Sequence, residues 1–393
     1  MTMAEAGAKR ERCETDGEAG REDAGPSRSS LRRCRRIKEE YEKLAQLGEG
    51  TYGSVYRARH RRSGFVYAVK RVRLEREREG FPQTSVREIG LLMRLKHPSI
   101  VNVREVCVGD SSSSIFVVLE YVEHDLKDLL SEKKSPFTSA EVKCLMRQLL
   151  SGVNYLHSNF VIHRDLKTSN LLYSNRGEMK LCDFGMARQF GDPLRRYTQT
   201  VVTLWYRPPE LLLGQEYYST AVDMWSMGCV MAEILSREPL FRGKAELDQL
   251  DTIFDVLGSP DQERWPGYES LPLAKRMNFK SRAGGKLRQL YPAMQAISGK
   301  PTLTESGFDL LSSMLSLDPE QRPSAESAQA HGWFDEFPPA KDQSLMPSFP
   351  AKTSVKEQRT RSPDPLEEQR KREQERSKVS SETAAPALFA FAD

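Results

Sequence analysis

Apolar residues change their spacing along the chain. Short runs typical of β-strands come first, in "YEKLAQLGEG", "GSVYRARH", "FVYAVKRVRL" and "IFVVLEYV". Longer stretches with helical periodicity follow, in "SAEVKCLMRQLLSGVNYLHSN", "STAVDMWSMGCVMAEILS" and "LDQLDTIFDVLG". Strands first and helices second predict an α+β protein, with a small sheet lobe followed by a larger helical lobe.

Segments of different composition flank this apolar-rich region, which runs from about residue 41 to residue 337. We predict that its small lobe spans residues 41–122 and its large lobe residues 123–337. Residues 1–40 carry many charges of both signs and few large apolar side chains, so we predict a disordered tail there. Residues 338–393 are predicted to form a C-terminal extension that is largely disordered.

The composition of the chain limits the cellular compartments and the classes of partner that we expect for it. The net charge of +4 argues against direct nucleic-acid binding, and no run of about 18 apolar residues predicts a membrane span. Six scattered cysteines, without CxxC or zinc spacing, fit a reducing intracellular compartment, namely the nucleus, the cytoplasm or both. The basic cluster "RSSLRRCRRIK" at residues 28–38 is either a nuclear address or a solvated run of charge.

A glycine-rich turn, "GEGTYGSV", separates the first two predicted strands. Gly48, Gly50 and Gly53 allow a backbone hairpin to lie against phosphate oxygens, because a Cβ would hold the chain away. Dinucleotide-binding folds share this glycine spacing, but there the glycines lead into a helix. Here Val55 and the strand-like "VYRARH" follow, which favours a hairpin that covers phosphates.

Two residues of opposite charge follow this hairpin. Lys70 ends the strand-like "YAVK", where it is placed to pin the α- and β-phosphates of a nucleotide. An ammonium group in that role needs a carboxylate partner, and Glu88 of "PQTSVRE" is the candidate. Ser85 and Glu88 also have the spacing of a capping box at a helix start, so Glu88 has two readings.

The stretch "VIHRDLKTSN" carries the most specific chemistry. It matches the pattern HRDLxxxN, which places Asp165 and Asn170 to serve a substrate hydroxyl and a metal ion. Asp183 of the following "DFG" would chelate Mg²⁺ that bridges phosphates, and Lys167 would offset charge on a transferring phosphoryl group.

These motifs together resemble those of eukaryotic protein kinases. Within that superfamily the chain is similar to the cyclin-dependent kinases, on "GEGTYG", "VVTLWYRPPELLLG", "DMWSMGCVMAEIL", "FRGKAELDQL" and "LGSPDQERWPG". "EGFPQTSVRE", "YVEHDLKDLL", "RDLKTSNLL" and "MPSFPAK" resemble the PITSLRE subgroup and its plant G-type relatives, although Gln83 and Val86 depart from the subgroup's motif. "PPE" stands in place of the usual Ala-Pro-Glu, and we expect Glu210 to pair with Arg322.

The resemblance implies a two-lobed protein kinase fold, in which a small antiparallel-sheet lobe carries one long helix and the other lobe is mainly helical. It also implies a Ser/Thr kinase that uses ATP and Mg²⁺, with Asp165 orienting and deprotonating the substrate hydroxyl. The implied catalytic residues are Asp165, Lys167, Asn170, Lys70 and Glu88, and the implied metal ligands are Asn170 and Asp183. The residues expected around ATP are Leu47, Gly48, Glu49, Gly50, Thr51, Tyr52, Gly53, Val55, Ala68, Lys70, Leu119, Glu120, Val122, Asp125, Lys167, Asn170, Leu172 and Asp183.

The same resemblance implies partners. A cyclin is expected to contact the "PQTSVRE" helix, and without it we expect the helix to swing out and carry Glu88 away from Lys70. Substrates are expected to have proline after Ser or Thr, because Val202 and Arg207 should shape a pocket unable to satisfy an amide N–H. The implied processes are cell-cycle, transcription or RNA-processing control.

Phosphorylation is expected to regulate the enzyme in two places. Thr198 matches the activating threonine of the family, so a separate kinase should phosphorylate it. Its phosphate would then be bound by three arginines from separate elements, namely Arg87, Arg164 and Arg188. Thr51 and Tyr52, in the glycine-rich turn, match inhibitory sites.

Two rival interpretations remain. A MAP-kinase-like enzyme would need no cyclin, but such enzymes usually carry Thr-x-Tyr where this chain has "TQT" at residues 198–200. A catalytically inactive scaffold would use the same fold to bind partners. The presence of all the expected catalytic residues disfavours the scaffold.

Overall fold

The computed structural model describes most of the region between residues 35 and 350. The side chains of residues 49 and 50, at the end of a strand, and of residues 83–87, at the start of a helix, are not described. The described residues are 35–50, 53–72, 83–110, 114–191, 202–276, 280–293 and 302–350.

One antiparallel sheet forms the small lobe. Its strands lie in the order β1-β2-β3-β5-β4, with bounds β1 Tyr41–Gly50, β2 Gly53–His60, β3 Val66–Val72, β4 Val103–Val108 and β5 Ile115–Glu120. Four of these strands are the ones that the apolar runs predict. The exception is β4, "VREVCV", in which two charged residues interrupt the apolar pattern.

Structure begins before the predicted start of the domain. A short helix, α1 (Ile37–Glu40), precedes β1, and the backbone of Arg35 accepts a hydrogen bond from the Val108 N–H on β4. The Tyr41 hydroxyl donates to Glu105 over 2.7 Å, which fixes the start of β1 against the far edge of the sheet. Most of the predicted tail, including most of the basic cluster, lies outside the described residues.

Helix α2 (Gln83–Arg94) is the only long helix described in the small lobe, and Leu91 and Leu92 bury its inner face. Because the helix already begins at Gln83, Ser85 lies inside it and cannot be its N-cap. The capping-box interpretation of Ser85 and Glu88 is therefore wrong, and Glu88 is available for another role.

The large lobe is mainly helical, as predicted. Helix α6 (Ala221–Ser236) is apolar on all sides and almost wholly buried, as expected for a helix at the centre of a lobe. Helix α4 (Ser139–Ser158) packs beside it and starts with a capping box between Thr138 and Glu141. The helices are α3 Leu126–Glu132, α4 Ser139–Ser158, α5 Pro209–Leu212, α6 Ala221–Ser236, α7 Glu246–Leu257, α8 Lys286–Leu290, α9 Glu305–Met314 and α10 Ala325–Gln329.

Two small β-ladders in the large lobe flank the predicted motifs "HRD" and "DFG". Strands β6 (His124–Asp125), β8 (Leu171–Tyr173) and β9 (Met179–Leu181) form a sheet in the order β6-β8-β9. Strand β7 (Val161–Ile162) pairs with β10 (Arg188–Gln189). "HRD" follows β7, and "DFG" lies between β9 and β10, so the two ladders bring both motifs to one place.

Described structure continues past residue 337. Residues 338–350 pack on the large lobe, where Met346 is buried and Lys341 bonds to the start of α4. The remainder of the predicted C-terminal extension, from residue 351, lies outside the described residues. Among the helices that the structure describes, none has the length and apolarity needed to cross a membrane.

Candidate active site

Lys70 makes two ion pairs, one within the small lobe and one with the large lobe. Its ammonium lies 2.6 Å from a carboxylate oxygen of Glu88 on α2 and 3.2 Å from one of Asp183. Burial alone would lower the pKa of Lys70, but the two carboxylates raise it above its ordinary value. Lys70 therefore stays charged and joins the small sheet, α2 and the start of "DFG".

Asp165 lies at the centre of a second group of contacts. One carboxylate oxygen accepts from the Lys167 ammonium over 2.7 Å and from the Asn170 amide over 3.0 Å. The other accepts from the Thr203 hydroxyl over 2.9 Å, and Lys167 also donates to that hydroxyl. The carboxylate is thus held in one orientation and receives a hydroxyl donor, which is the geometry that a general base needs.

A buried carboxylate binds the backbone of "HRD". Asp223, at the start of α6, accepts hydrogen bonds from the backbone N–H groups of His163 and Arg164 and from the His157 ring. Burial would raise the pKa of Asp223, but the hydrogen bonds and charge of His157, with the backbone bond from Arg164, lower it overall. Arg164 has φ 66°, a strained conformation that these bonds help to hold.

The β8–β9 hairpin places Asn170 and Asp183 at the same end of one ladder. Asn170 immediately precedes β8, Asp183 follows shortly after β9, and the Cys182 N–H donates to the Asn170 carbonyl over 3.0 Å. The Asn170 amide nitrogen is engaged by Asp165, which leaves its oxygen as the group suited to a cation. Within the described residues, no group of three or more His, Cys, Asp or Glu side chains could hold a metal ion. A cation here would therefore need ligands beyond this chain's carboxylates.

Several of the residues predicted around ATP also lie together in the sheet. Lys70 pairs with Val55 across β2–β3, and Ala68 pairs with Leu119 across β3–β5. The Glu120 N–H donates to the Asn102 carbonyl, so Glu120 would recognise a base through its own carbonyl. Leu172 of β8 faces Asp125 of β6 on the large-lobe side.

The glycine hairpin closes the upper side of this region. Gly50 pairs with Gly53 and Gly48 with Val55 across β1–β2, and Gly53 has φ 137°, which favours glycine. Leu47, just before, is 42% exposed. Thr51 and Tyr52 at its tip lie outside the described residues, and Glu49 is described in its backbone alone.

A third group of contacts shapes residues 202–210, here called the Val202 segment. Val202 has φ 65°, in the left-handed region, and its carbonyl accepts bonds from Nε and Nη2 of Arg207. Arg207 is buried and its remaining nitrogen binds Glu246 at the start of α7. The Val202 carbonyl is therefore turned toward Arg207 and not toward a bound peptide.

The expected pairing of Glu210 with Arg322 is confirmed. Two parallel hydrogen bonds of 2.7 Å join the guanidinium to the carboxylate, and both side chains are almost fully buried. Arg322 also donates to the backbone carbonyls of Ser316, Leu317 and Ala221 and lies over the Trp225 ring. The pair joins the end of the Val202 segment to the centre of the large lobe.

Comparison with known proteins agrees with this geometry. A family model described as "Protein kinase domain" matches residues 41–334. Cyclin-dependent kinase G-2 of Oryza sativa subsp. indica is 56% identical over 346 residues, which are 87% of this chain and 48% of that relative. Cyclin-dependent kinase G1 of Arabidopsis thaliana is 53% identical over 318 residues, 80% of this chain and 52% of that relative. Cyclin-dependent kinase 11B of Rattus norvegicus is 48% identical over 324 residues, 82% of this chain and 72% of that relative.

The chain belongs to the cyclin-dependent kinase family of protein kinases. It spans about half the length of the plant relatives that it matches. Protein kinase domains use ATP as substrate and usually Mg²⁺. The predicted similarity to the PITSLRE kinases and their plant G-type relatives is confirmed.

Helix α2 lies in the position that closes the ion pair between Lys70 and Glu88, whose atoms are 2.6 Å apart. The helix packs on the turn that contains Phe184 of "DFG", and Leu91 and Leu92 belong to the main apolar core. These contacts stabilise the closed position, and the expected outward swing of α2 without a cyclin stays a prediction.

The phosphorylation hypothesis is only partly described by the structure. Arg164 donates to the Met186 carbonyl and Arg188 to that of Ala187, so both guanidinium groups bind the same short segment. Thr198 and the side chain of Arg87 lie outside the described residues. Convergence of the three arginines therefore stays a prediction.

Sequence reasoning missed two functional residues of this kinase site. Thr203 lies within "VVTLWYR", where only Val202 and Arg207 were assigned roles, and Asp223 lies within "DMWSMGCVMAEIL", which was used only to identify the family. A signal exists for Asp223, since an acid at the start of an otherwise apolar helix needs a buried partner. Spacing gives no such signal for Thr203.

Proposed function

We propose that this chain is a cyclin-dependent Ser/Thr protein kinase that transfers the γ-phosphoryl group of ATP to Ser or Thr followed by proline. The observation that carries the proposal is the set of contacts around Asp165. A carboxylate fixed by Lys167 and Asn170, and already accepting a hydroxyl hydrogen from Thr203, is arranged to receive a substrate hydroxyl.

ATP would lie between the glycine hairpin and β8. The adenine would pack between Val55, Ala68 and Leu172, with Leu119 behind it and the backbones of Glu120 and Val122 beside it. Lys70 would contact the α- and β-phosphates while Glu88 holds its ammonium in place. Mg²⁺, held by oxygens of Asp183 and Asn170 together with the phosphates, would neutralise charge on the triphosphate, and such oxygen ligands suit this cation.

Asp165 would position the substrate hydroxyl and take its proton as the oxygen attacks the γ-phosphorus, and the bond from that phosphorus to the β,γ-bridging oxygen would break to release ADP. Lys167 contacts both Asp165 and Thr203, so its ammonium lies where negative charge on the transferring group would develop. The arriving substrate hydroxyl would replace the Thr203 hydroxyl as a donor to Asp165, and Thr203 would keep the bond that it accepts from Lys167.

Preference for proline would follow from the Val202 segment. With the Val202 carbonyl bonded to Arg207, a substrate N–H at the position after the phosphorylated residue has no acceptor there. An unsatisfied N–H costs about 1–3 kcal/mol, and proline has none. The relatives are named cyclin-dependent kinases, which supports a cyclin as the partner. Met93, 56% exposed on the outer face of α2, offers it an apolar contact next to "PQTSVRE".

One assay tests substrate preference and cyclin dependence together. We expect the chain with a cognate cyclin to phosphorylate a Ser-Pro peptide with kcat/KM at least about 10-fold above that for the matched Ser-Ala peptide. The chain alone should be much less active on both peptides. Equal use of the two peptides would contradict the proline proposal. Full activity without cyclin would favour the cyclin-independent enzyme, and no turnover of ATP in any combination would favour the scaffold.

We further propose that a separate kinase phosphorylates Thr198. Thr198→Ala should lower kcat of the cyclin complex several-fold while cyclin binding persists, because the phosphate would add about −1.5 to −2 charge beside Arg164 and Arg188. Thr200→Ala is the matched control. The complex carrying each variant would be assayed after treatment with a cell extract and ATP. Full activity of the Thr198 variant with loss in the Thr200 variant would move the switch to Thr200.

A further inference from the structure

Residues 338–350, here called the C-terminal strap, begin at the first turns of α4. The buried Lys143 ammonium donates to the carbonyls of Glu336 and Pro338, over 2.8 Å each. The Lys341 N–H donates to the Ala140 carbonyl, and the Lys341 ammonium lies 2.9 Å from Glu141. The start of the strap is thus anchored by both charge and backbone.

The middle of the strap crosses the turn between β8 and β9. Gly177, in that turn, has φ 74°, and a Cβ there would lie 2.2 Å from the Gln343 carbonyl oxygen and 2.7 Å from the Met346 Cβ. Met346 is buried, whereas Leu345 beside it is 67% exposed. The strap therefore has an inner side in close contact with the turn and an outer side in solvent.

The strap ends against β6 and β8, beside the region where ATP is proposed to bind. Asn175 binds both backbone groups of Phe349, donating to its carbonyl over 2.9 Å and accepting from its N–H over 2.8 Å. The Phe349 ring lies edge-on to the rings of His124 and Tyr173, with centroids 6.0 and 5.8 Å away. Phe349 thus covers a pair of residues that face each other across β6–β8.

The next pair on this ladder is Asp125 and Leu172. Successive residues of a strand point to opposite faces of its sheet. Because His124 and Tyr173 face the strap, Asp125 and Leu172 face the other way, toward the region where the nucleotide is proposed to bind. The strap and the nucleotide would therefore contact opposite faces of the β6-β8-β9 sheet.

We infer that the C-terminal strap positions the ATP site, with Phe349 acting through His124 and Tyr173 on Asp125 and Leu172. This inference rests on the proposed binding of ATP at β8. Phe349 is a positioning residue, since it touches neither ATP nor the reacting atoms. Without its ring the sheet would lose a packing partner on one face, and the contacts of Asp125 and Leu172 with the nucleotide would shift.

The test is calorimetric titration of the full chain with ATP in excess Mg²⁺, which requires no cyclin. We expect Phe349→Ala to raise the Kd for ATP roughly 3- to 10-fold, which lies within the range seen for residues that couple to a site without touching it. Leu345→Ala, in the same strap but directed to solvent, should leave the Kd unchanged. Phe349→Tyr keeps the ring and should restore wild-type affinity.

A matched variant separates positioning from general loss of stability. Leu310→Ala removes a buried side chain of α9, in a helix that lies outside the ladder that Phe349 contacts, and should lower the melting temperature without changing the Kd for ATP. In the cyclin complex, Phe349→Ala should raise the KM for ATP and leave kcat and the KM for peptide nearly unchanged.

The outcomes distinguish the two proposals. Failure of the wild-type chain to bind ATP would overturn the proposed function. Wild-type binding with an unchanged Kd in Phe349→Ala would overturn the strap inference alone. An equal rise of the Kd in Phe349→Ala and Leu310→Ala would reduce the strap to a structural role and overturn the inference as well.

Discussion

Asp165→Asn should leave ATP binding nearly intact and remove most phosphoryl transfer. The amide keeps the shape of the carboxylate but cannot accept a proton, and it lacks the charge that orients a hydroxyl donor. A positioned general base contributes about 10²–10⁴-fold to the rate, so we expect a loss in kcat of that size. Steady-state kinetics on a Ser-Pro peptide, with ATP affinity measured separately by titration, would show the effect.

The contacts of Asp165 make this variant informative. Both carboxylate oxygens accept hydrogen bonds, one from Thr203 and the other from Lys167 and Asn170. An asparagine can keep only the bonds to its single oxygen. Thr203→Val is a useful companion, because it removes the hydroxyl donor and leaves the carboxylate. If Asp165→Asn kept more than about a tenth of wild-type turnover, Asp165 would not be the base.

Arg322→Leu is expected to have the largest effect on stability. It would leave the Glu210 carboxylate buried without its bidentate partner and would also remove the bonds to three backbone carbonyls. Breaking a buried ion pair by removing one partner costs about 3–5 kcal/mol. The free energy of unfolding, measured by denaturant titration, should fall by that amount.

Two further variants check the physical cause of this loss. Glu238→Ala breaks the exposed pair with Arg242 and should change the free energy of unfolding by less than about 1 kcal/mol. Glu210→Leu combined with Arg322→Leu leaves no unpaired charge, so it should be more stable than Arg322→Leu alone. A double variant as unstable as the sum of its single changes would show that the unpaired charge is not the cause.

The sequence by itself determined the elements and the chemistry that depend on local patterns. The periods of the apolar runs predicted four strands of the small sheet and the helices α4, α6 and α7 correctly, because a strand or helix buries one face at a fixed repeat. "HRDLKTSN" and "DFG" singled out Asp165, Asn170 and Asp183 as candidates for one site, since each motif depends on the spacing of a few neighbouring residues. The bidentate pair of Glu210 and Arg322 was also foreseen, although only from the family resemblance.

The tertiary structure alone decided how distant segments support one another. Asp223 binds the backbone beneath "HRD" from another helix, and Thr203 reaches Asp165 from the segment before α5. The closed position of Glu88 reflects packing of α2 on the core, which its own sequence does not specify. The strap lies within the extension that was predicted to be largely disordered, yet Met346 is buried and the Phe349 ring lies against His124 on β6 and Tyr173 on β8. Spacing along the chain cannot reveal such contacts, since they depend on which surfaces the folded lobes bring together.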